Sequence, residues 1–265
     1  MAEPHAIMIA SQKGGVGKTT IAVNLAAALK LQRYKVLLID ADYSNPSVGF
    51  HLGMQEANIG FKAVVSNKAK LENAIAIHNP TGLHVLPGEI SSKSPTISHR
   101  VLKNLNRELI RSRYDFVVID TAPGPTSLTM LSPLISANLF EVLIILTPEM
   151  PACASALRLA HTYEKMHTMH SMTANKVRNR RYELSIGEIE DVLGEGVIAT
   201  LPEDENVPIS IATHIPICLL KSRSAFSIAI KELARKVASR AGVEEPERSE
   251  RKGLFAWLKR IFSFG

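Results

Sequence analysis

The densest chemistry in this 265-residue chain lies in Lys13–Thr20, KGGVGKTT. Gly14, Gly15 and Gly17, with Val16 among them, let the backbone curl so that successive N–H groups point at one anion. Lys18 adds a full positive charge suited to the outer phosphates of a nucleoside triphosphate, and Thr19 offers a hydroxyl to Mg²⁺. A divalent cation is expected because a triphosphate carries more negative charge than one lysine offsets. Thr20 carries the bend into a stretch of helical period, whose N-terminus adds its own partial positive charge. Lys13 is a second ammonium at the same bend, placed to neutralise charge that develops during phosphoryl transfer.

Two apolar runs end in carboxylates. VLLID closes on Asp40, with Asp42 two residues further on, and FVVID closes on Asp120. Ligands of open α/β sheets sit at the carboxyl ends of strands, where carboxylates hold a hydrated Mg²⁺ or orient a water. An aspartate after a strand is also a common turn residue, so the phosphate loop is what favours the chemical reading.

The common phosphate-loop pattern requires glycine at position 12, where this chain has Gln12; the variant with a lysine before Gly14–Gly15 fits instead. In this the chain resembles the deviant Walker A ATPases, the MinD/ParA family, and the similarity runs from Ala6 to Ala238. The resemblance implies ATP and Mg²⁺ as cofactors and a Mg²⁺-dependent ATP hydrolase with Lys13, Lys18 and Asp42 as its catalytic set. Lys13 would reach the partner's phosphates in a nucleotide-sandwiched homodimer. Asp120 looks like the Walker B aspartate, and Asp40-Ala41-Asp42 matches switch I. Asp42 would then position the attacking water, with Asp40 near the metal shell. Thr121–Gly124 resembles switch II, in which Gly124 would swing a backbone N–H toward a γ-phosphate. Asn175, in ANKV, stands at the adenine-contacting position, where an amide accepts from adenine N6 and donates to N7. The Leu201–Asp204 loop, Pro202 included, resembles the segment that packs on the base. Pro46-Ser47 depart from the Arg-Asn pair common in bacterial members, so different regulators are expected there.

These groups need a scaffold that delivers strand ends and a helix start to one crevice. Strand-length apolar runs occur at Ala6–Ala10, Val36–Asp40, Leu83–Leu86, Phe116–Asp120, Val142–Thr147, Met172–Val177 and Val197–Thr200. Helical stretches run from Lys18 to about Leu31, from Ser98 to Arg111, after Pro151, over Ile186–Leu193 and from Ala225 to Arg240. Continuous apolar strands alternating with helices predict a three-layer α/β/α domain with a mostly parallel central sheet over residues 1–240, a P-loop NTPase fold.

Hydrophobic residues make up 46% and charged residues 21%, enough to bury a core, and the formal net charge of +6 permits anionic partners without choosing one. Cys153 and Cys218 stand far apart with no CxxC, which argues against a metal cluster and fits a reducing cytosol. No secretory leader or spanning run is evident, so a cytoplasmic protein with peripheral membrane contact is expected. Residues 241–251 read as a charged linker and 252–265 as an amphipathic helix. On a helical wheel Leu254, Phe255, Trp257, Leu258, Ile261 and Phe262 share one half, opposite Lys252, Lys259 and Arg260. That pattern suits an in-plane helix on anionic lipid. One short tail binds weakly, while two tails in a dimer act together. The resulting expectation is ATP-dependent dimerisation, membrane docking and release on hydrolysis, in positioning of the division site or an envelope structure. A regulatory protein that stimulates hydrolysis is expected as a partner; nucleic acid is not. The competing readings are a DNA-partition ATPase and a nucleotide-binding membrane scaffold with negligible hydrolysis.

Overall fold

The computed structural model describes residues 3–55, 59–89, 98–124 and 140–244. Its strands are β1 His5–Ala10, β2 Val36–Asp40, β3 Ala76–His78, β4 Leu83–Leu86, β5 Phe116–Asp120, β6 Phe140–Leu146, β7 Met169–Val177 and β8 Val197–Pro202. They form one eight-stranded sheet in the order β3-β4-β2-β5-β1-β6-β7-β8. Every neighbouring pair is parallel except β3–β4. The helices are α1 Lys18–Leu31, α2 Val48–Leu52, α3 Phe61–Val65, α4 Leu71–Ala74, α5 His99–Arg111, α6 Met150–Lys165, α7 Ile186–Leu193, α8 Asn206–Ala212, α9 Ile217–Leu220 and α10 Ala225–Ala241.

Strands β2, β5 and β6 are buried at every position, because helices cover both faces of the sheet. One core packs Leu102, Leu105 and Leu109 of α5, Leu159 and Tyr163 of α6, and Ile189 of α7 against one face. The other packs Leu25 and Leu29 of α1 and Ile230, Leu233 and Val237 of α10 against the opposite face. The three-layer expectation is met. Helix α10 ends at Ala241, where Gly242 takes the left-handed conformation (φ 62°) that stops it. The amphipathic segment 252–265 lies outside the described residues.

The differences from the expected boundaries have physical causes. Strand β6 begins at Phe140, two residues before the expected Val142, and includes Glu141, which is 1% exposed. A buried carboxylate is tolerated because Ser171 donates to its Oε1 at 2.5 Å and the Arg240 guanidinium does so at 3.3 Å. Strand β7 likewise starts early, at Met169, since His170 pairs with Glu195 and Ser171 with Glu141. Leu201 and Pro202, expected in a loop, belong to β8, and Leu201 is fully buried. Proline fits there because β8 is an edge strand whose outer N–H groups need no ladder partner.

Burial alone would raise the Glu141 carboxyl, but the nearby His5 imidazole (3.8 Å), the bond from Ser171 and the charge of Arg240 hold it below its ordinary value. A depressed carboxylate stabilises the fold above the ordinary range and loses that contribution as pH falls through it. Arg240→Ala is therefore expected to lower unfolding free energy by about 1 kcal/mol in urea titrations at neutral pH. The gap from wild type should close on acidification; a pH-independent gap would contradict this account.

Candidate functional site

The loop after β1 and the carboxyl ends of β2, β5 and β7 converge on a cleft of about 1160 Å³. Gly14, Gly15, Gly17, Lys18, Thr19, Thr20, Asp42, Asn175 and Pro202 all line it. Val16 is buried behind the loop, and Lys13 is exposed outside its own cleft. Helix α1 begins from Gly17 in a left-handed conformation (φ 95°), with no side-chain cap and no acidic residue in its first turn. Its leading N–H groups are thus left for an external anion. Residue 17 must be glycine for a second reason: a Cβ there would lie 2.4 Å from Asn175 Nδ2.

Lys18 is 8% exposed, and its ammonium donates to Ser11 Oγ at 3.2 Å. Ser11 in turn donates to the Lys13 carbonyl at 2.6 Å, which fixes the mouth of the loop. Burial lowers the Lys18 pKa, and the nearby charges of Asp120 and Asp42 work against that shift. Thr19 Oγ1 donates to Asp120 Oδ2 at 2.6 Å and lies 2.9 Å from Ser47 Oγ. A hydroxyl has one proton, so Ser47 must be the donor in the second contact. This leaves a Thr19 lone pair for the cleft.

Asp40 and Asp120 are register partners on adjacent strands and are 0% and 1% exposed. Burial pushes the Asp120 carboxyl up to about 7, the Thr19 hydroxyl and Lys18 charge pulling the other way. Asp40 is held well above the usual carboxylate range, first by burial and then by the charge of Asp120. Its Oδ1 accepts from Asp42 N at 3.2 Å and its Oδ2 from Val48 N at 3.0 Å. Asp40 therefore braces the β2–α2 loop and is not a lining group of the cleft. Asp42 Oδ1 accepts from the N–H groups of Ser44 (3.1 Å) and Asn45 (2.9 Å). Gly124 (φ 91°) donates its N–H to the Ser11 carbonyl at 2.8 Å, tying the end of β5 to the phosphate loop.

The residues fit a hard divalent cation. Asp120 Oδ1 is buried with no hydrogen-bond partner among the described residues, and Thr19 presents an oxygen beside it. Among the described residues no group of three or more His, Cys, Asp or Glu could hold a metal. The Thr19 and Asp120 oxygens suit Mg²⁺, which takes few protein oxygens and keeps waters and phosphates.

Asn175 differs from expectation in one respect. Its Nδ2 donates to the Val16 carbonyl at 2.7 Å, and its buried Oδ1 has no partner among the described residues. The amide therefore keeps a free acceptor for a base, while one of its two N–H donors is taken by the loop. Lys176 (φ 57°) donates to the Gly15 carbonyl at 2.8 Å from the next position. Sequence reasoning missed Ser11, Ser47, Lys176 and His51. Lone hydroxyls and a strand lysine carry no spacing signal. His51 lines the cleft with its pKa pushed down to about 4 by burial, so its imidazole is neutral.

A glycine loop with a buried lysine, opening an uncapped helix at the carboxyl edge of a parallel sheet, defines a P-loop nucleotide-binding protein. A family described as an AAA domain matches residues 4–176. An uncharacterised ATP-binding protein of Methanocaldococcus jannaschii is 33% identical over 260 residues, covering 97% of each chain. The septum site-determining protein MinD of Pyrococcus horikoshii, solved with Mg-ADP, superposes with a TM-score of 0.81 at 26% identity, over 91% of this chain and 98% of that one. MinD in the MinC:MinD cell division complex of Aquifex aeolicus gives 0.78 at 27% identity, over 93% and 99%. The chain belongs to the MinD/ParA family of deviant Walker A P-loop ATPases.

Two outcomes follow from this geometry. A carboxyl raised to about 7 holds a proton in the folded state that the unfolded chain has already lost, so wild-type stability falls as pH rises between the two values. Asp120→Asn removes that penalty. The ligand-free variant should exceed wild type by about 1–3 kcal/mol at pH ~8, converge with it in acid, and lose Mg²⁺-dependent nucleotide binding. Guanine presents O6 where adenine presents an amino donor, so the unpartnered Oδ1 of Asn175 should favour ATP over GTP by about tenfold or more in competition binding. Equal affinity would remove Asn175 from base selection.

Proposed function

We propose that this chain is a Mg²⁺-dependent, MinD-like ATPase that works as a membrane-cycling switch at the cytoplasmic face of the cell membrane. The observation that carries the reading is the uncapped α1 N-terminus with buried Lys18, facing Asp120, whose free oxygen is buried. ATP would lie with its phosphates on the amides of residues 14–20 and on Lys18, and its adenine between Asn175 and Pro202. Thr19 directly, and Asp120 through its free oxygen, would hold Mg²⁺. When bound, the cation supplies charge neutralisation for the phosphates.

Within that site Asp42 is buried in the cleft wall and fixed by two backbone N–H groups, which suits orienting a water for attack on the γ-phosphate. Lys13 is exposed and does not line its own cleft, which favours action on a partner's nucleotide in an ATP-bound homodimer. Gly124 would exchange its bond to Ser11 for one to a γ-phosphate, linking switch II to nucleotide state.

Among the described residues no helix is long and apolar enough to cross a membrane. Membrane contact is assigned to residues 252–265, with Trp257 and its apolar neighbours buried in the interface and the nearby cations on anionic headgroups. Dimerisation brings two tails to one surface, and hydrolysis separates them. A regulatory protein acting on the dimer is part of the proposal; the MinC:MinD complex is a precedent for such partnership. The role is spatial control of cell division or of an envelope structure.

The test is sedimentation with anionic liposomes in ADP, ATP or no nucleotide, using full-length protein and protein lacking residues 252–265. ATP-dependent recruitment that needs the tail is expected. Lys18→Ala should abolish ATP binding and recruitment together. Asp42→Ala should keep ATP-dependent dimers but slow phosphate release by about 100-fold and leave the protein on lipid. Normal turnover in that variant would remove Asp42 from the mechanism.

A further inference from the structure

We propose that the outward face of α5 is a docking site for an acidic helical segment of a protein partner. Arg100, Lys103, Arg107 and Arg111 would meet its carboxylates one by one. The inference goes beyond the ATPase reading and does not depend on it. Helix α5 packs on the face of the sheet opposite α1 and α10.

The four cations follow one another at spacings of three, four and four residues, and all are exposed. At 100° per residue they fall within an arc of about 80°, directly opposite the buried Leu102, Leu105 and Leu109. They run about 16 Å along the helix. None of them forms an ion pair with another described residue. The one acid on the helix, Glu108, is turned toward α4, where its Oε2 accepts from Leu71 N at 3.2 Å.

This arrangement works against the helix that carries it. Arg100 stands in a first turn that has no acidic residue, where the macrodipole favours anions. Lys103–Arg107 and Arg107–Arg111 are like-charged pairs one turn apart, which destabilise a helix. No described residue offsets them, and in this proposal the offsetting charge comes from a partner. Arg100, Lys103, Asn104 and Arg107 also line a recess of about 400 Å³. Within it Arg107 is held by the Asn104 side chain at 3.2 Å, which presents a fixed guanidinium fork for a carboxylate.

The chemistry selects among anions. An interfacial membrane helix needs an apolar side to insert. The apolar side of α5 is already in the core, and none of the exposed large hydrophobic residues lies on this helix. Duplex nucleic acid carries a charge roughly every 1.7 Å along its axis and calls for a broader positive surface than one narrow stripe. Acids on a partner helix at i, i+3, i+7 and i+11 have the same rise as the four cations and can pair with each in turn.

The probe is a fluorescent helix-forming peptide of about five turns with glutamates at that spacing, measured by anisotropy against the full-length protein. The control peptide has the same composition with its glutamates bunched at one end. The spaced peptide should bind at least about tenfold more tightly than the bunched one, and binding should weaken with added salt. R100E/K103E/R107E/R111E should bind it at least about tenfold more weakly than wild type. Because reversing four charges can unsettle the helix, the milder R107Q/R111Q is measured alongside, with retained ATP binding as the folding check. It should lose part of the affinity. The proposal is overturned if the spaced peptide does not bind, if spaced and bunched peptides bind alike, or if both folded variants bind as wild type does. It is overturned in favour of another anion if duplex DNA or phosphatidylglycerol vesicles bind the stripe more tightly than the peptide does.

Discussion

One buried ammonium faces more negative charge than it can balance. Lys18 feels both Asp120 and Asp42, while Asp40 lies beside Asp120 on the neighbouring strand, where the Asp120 charge disfavours its ionisation. Carboxylates this deep in an α/β sheet do not both ionise readily. A divalent cation resolves that conflict, but it brings phosphates whose charge must be met in turn. The free amides at the start of α1 meet it. Cation and nucleotide are thus complementary parts of one electrostatic solution, and neither half of the site is well satisfied alone. The hydroxyls of Ser11, Thr19 and Ser47 serve the same end by keeping each charged group aimed.

Strand β7 shapes the phosphate loop from the side. Its irregular pairing with β8 between Ala174 and Val177 leaves Asn175 and Lys176 beside each other, holding the carbonyls of Val16 and Gly15. Drawing carbonyls outward turns the intervening amides inward, toward an anion. Lys176 adopts a left-handed conformation to do this, which costs about 1 kcal/mol for a residue with a side chain. The contact between Gly17 and Asn175 shows how closely the two elements fit.

Much of this was legible in the chain itself. Runs such as VLLID and FVVID end where their strands end, because apolar residues fill the two covered faces and the aspartate marks the rim. The glycine loop announced itself by spacing. What stayed hidden depends on contacts between distant positions. The expected strand began at Val142, because the partners that let Glu141 be buried, Ser171 and Arg240, stand far away in the chain. Leu201–Pro202 looked like a turn because the edge position that tolerates proline is a property of the sheet, not of the local residues. The three residues of β3 are too few to show any period. Asn175, expected from the resemblance at the adenine, lines the cleft, but the direction of its amide is set by a carbonyl more than 150 positions away in the chain.

Arg240 holds the last turn of α10 to Glu141 and Ser171, at the amino ends of β6 and β7, while the nucleotide cleft opens at the carboxyl ends. The chain therefore departs toward its terminal segment from the pole opposite the phosphates, with the full depth of the sheet between them. A rigid, close-packed slab transmits small displacements poorly unless some element has two stable positions. In the proposed switch, information about the third phosphate would be better conveyed by stoichiometry, one chain or two, than by a mechanical relay through the sheet.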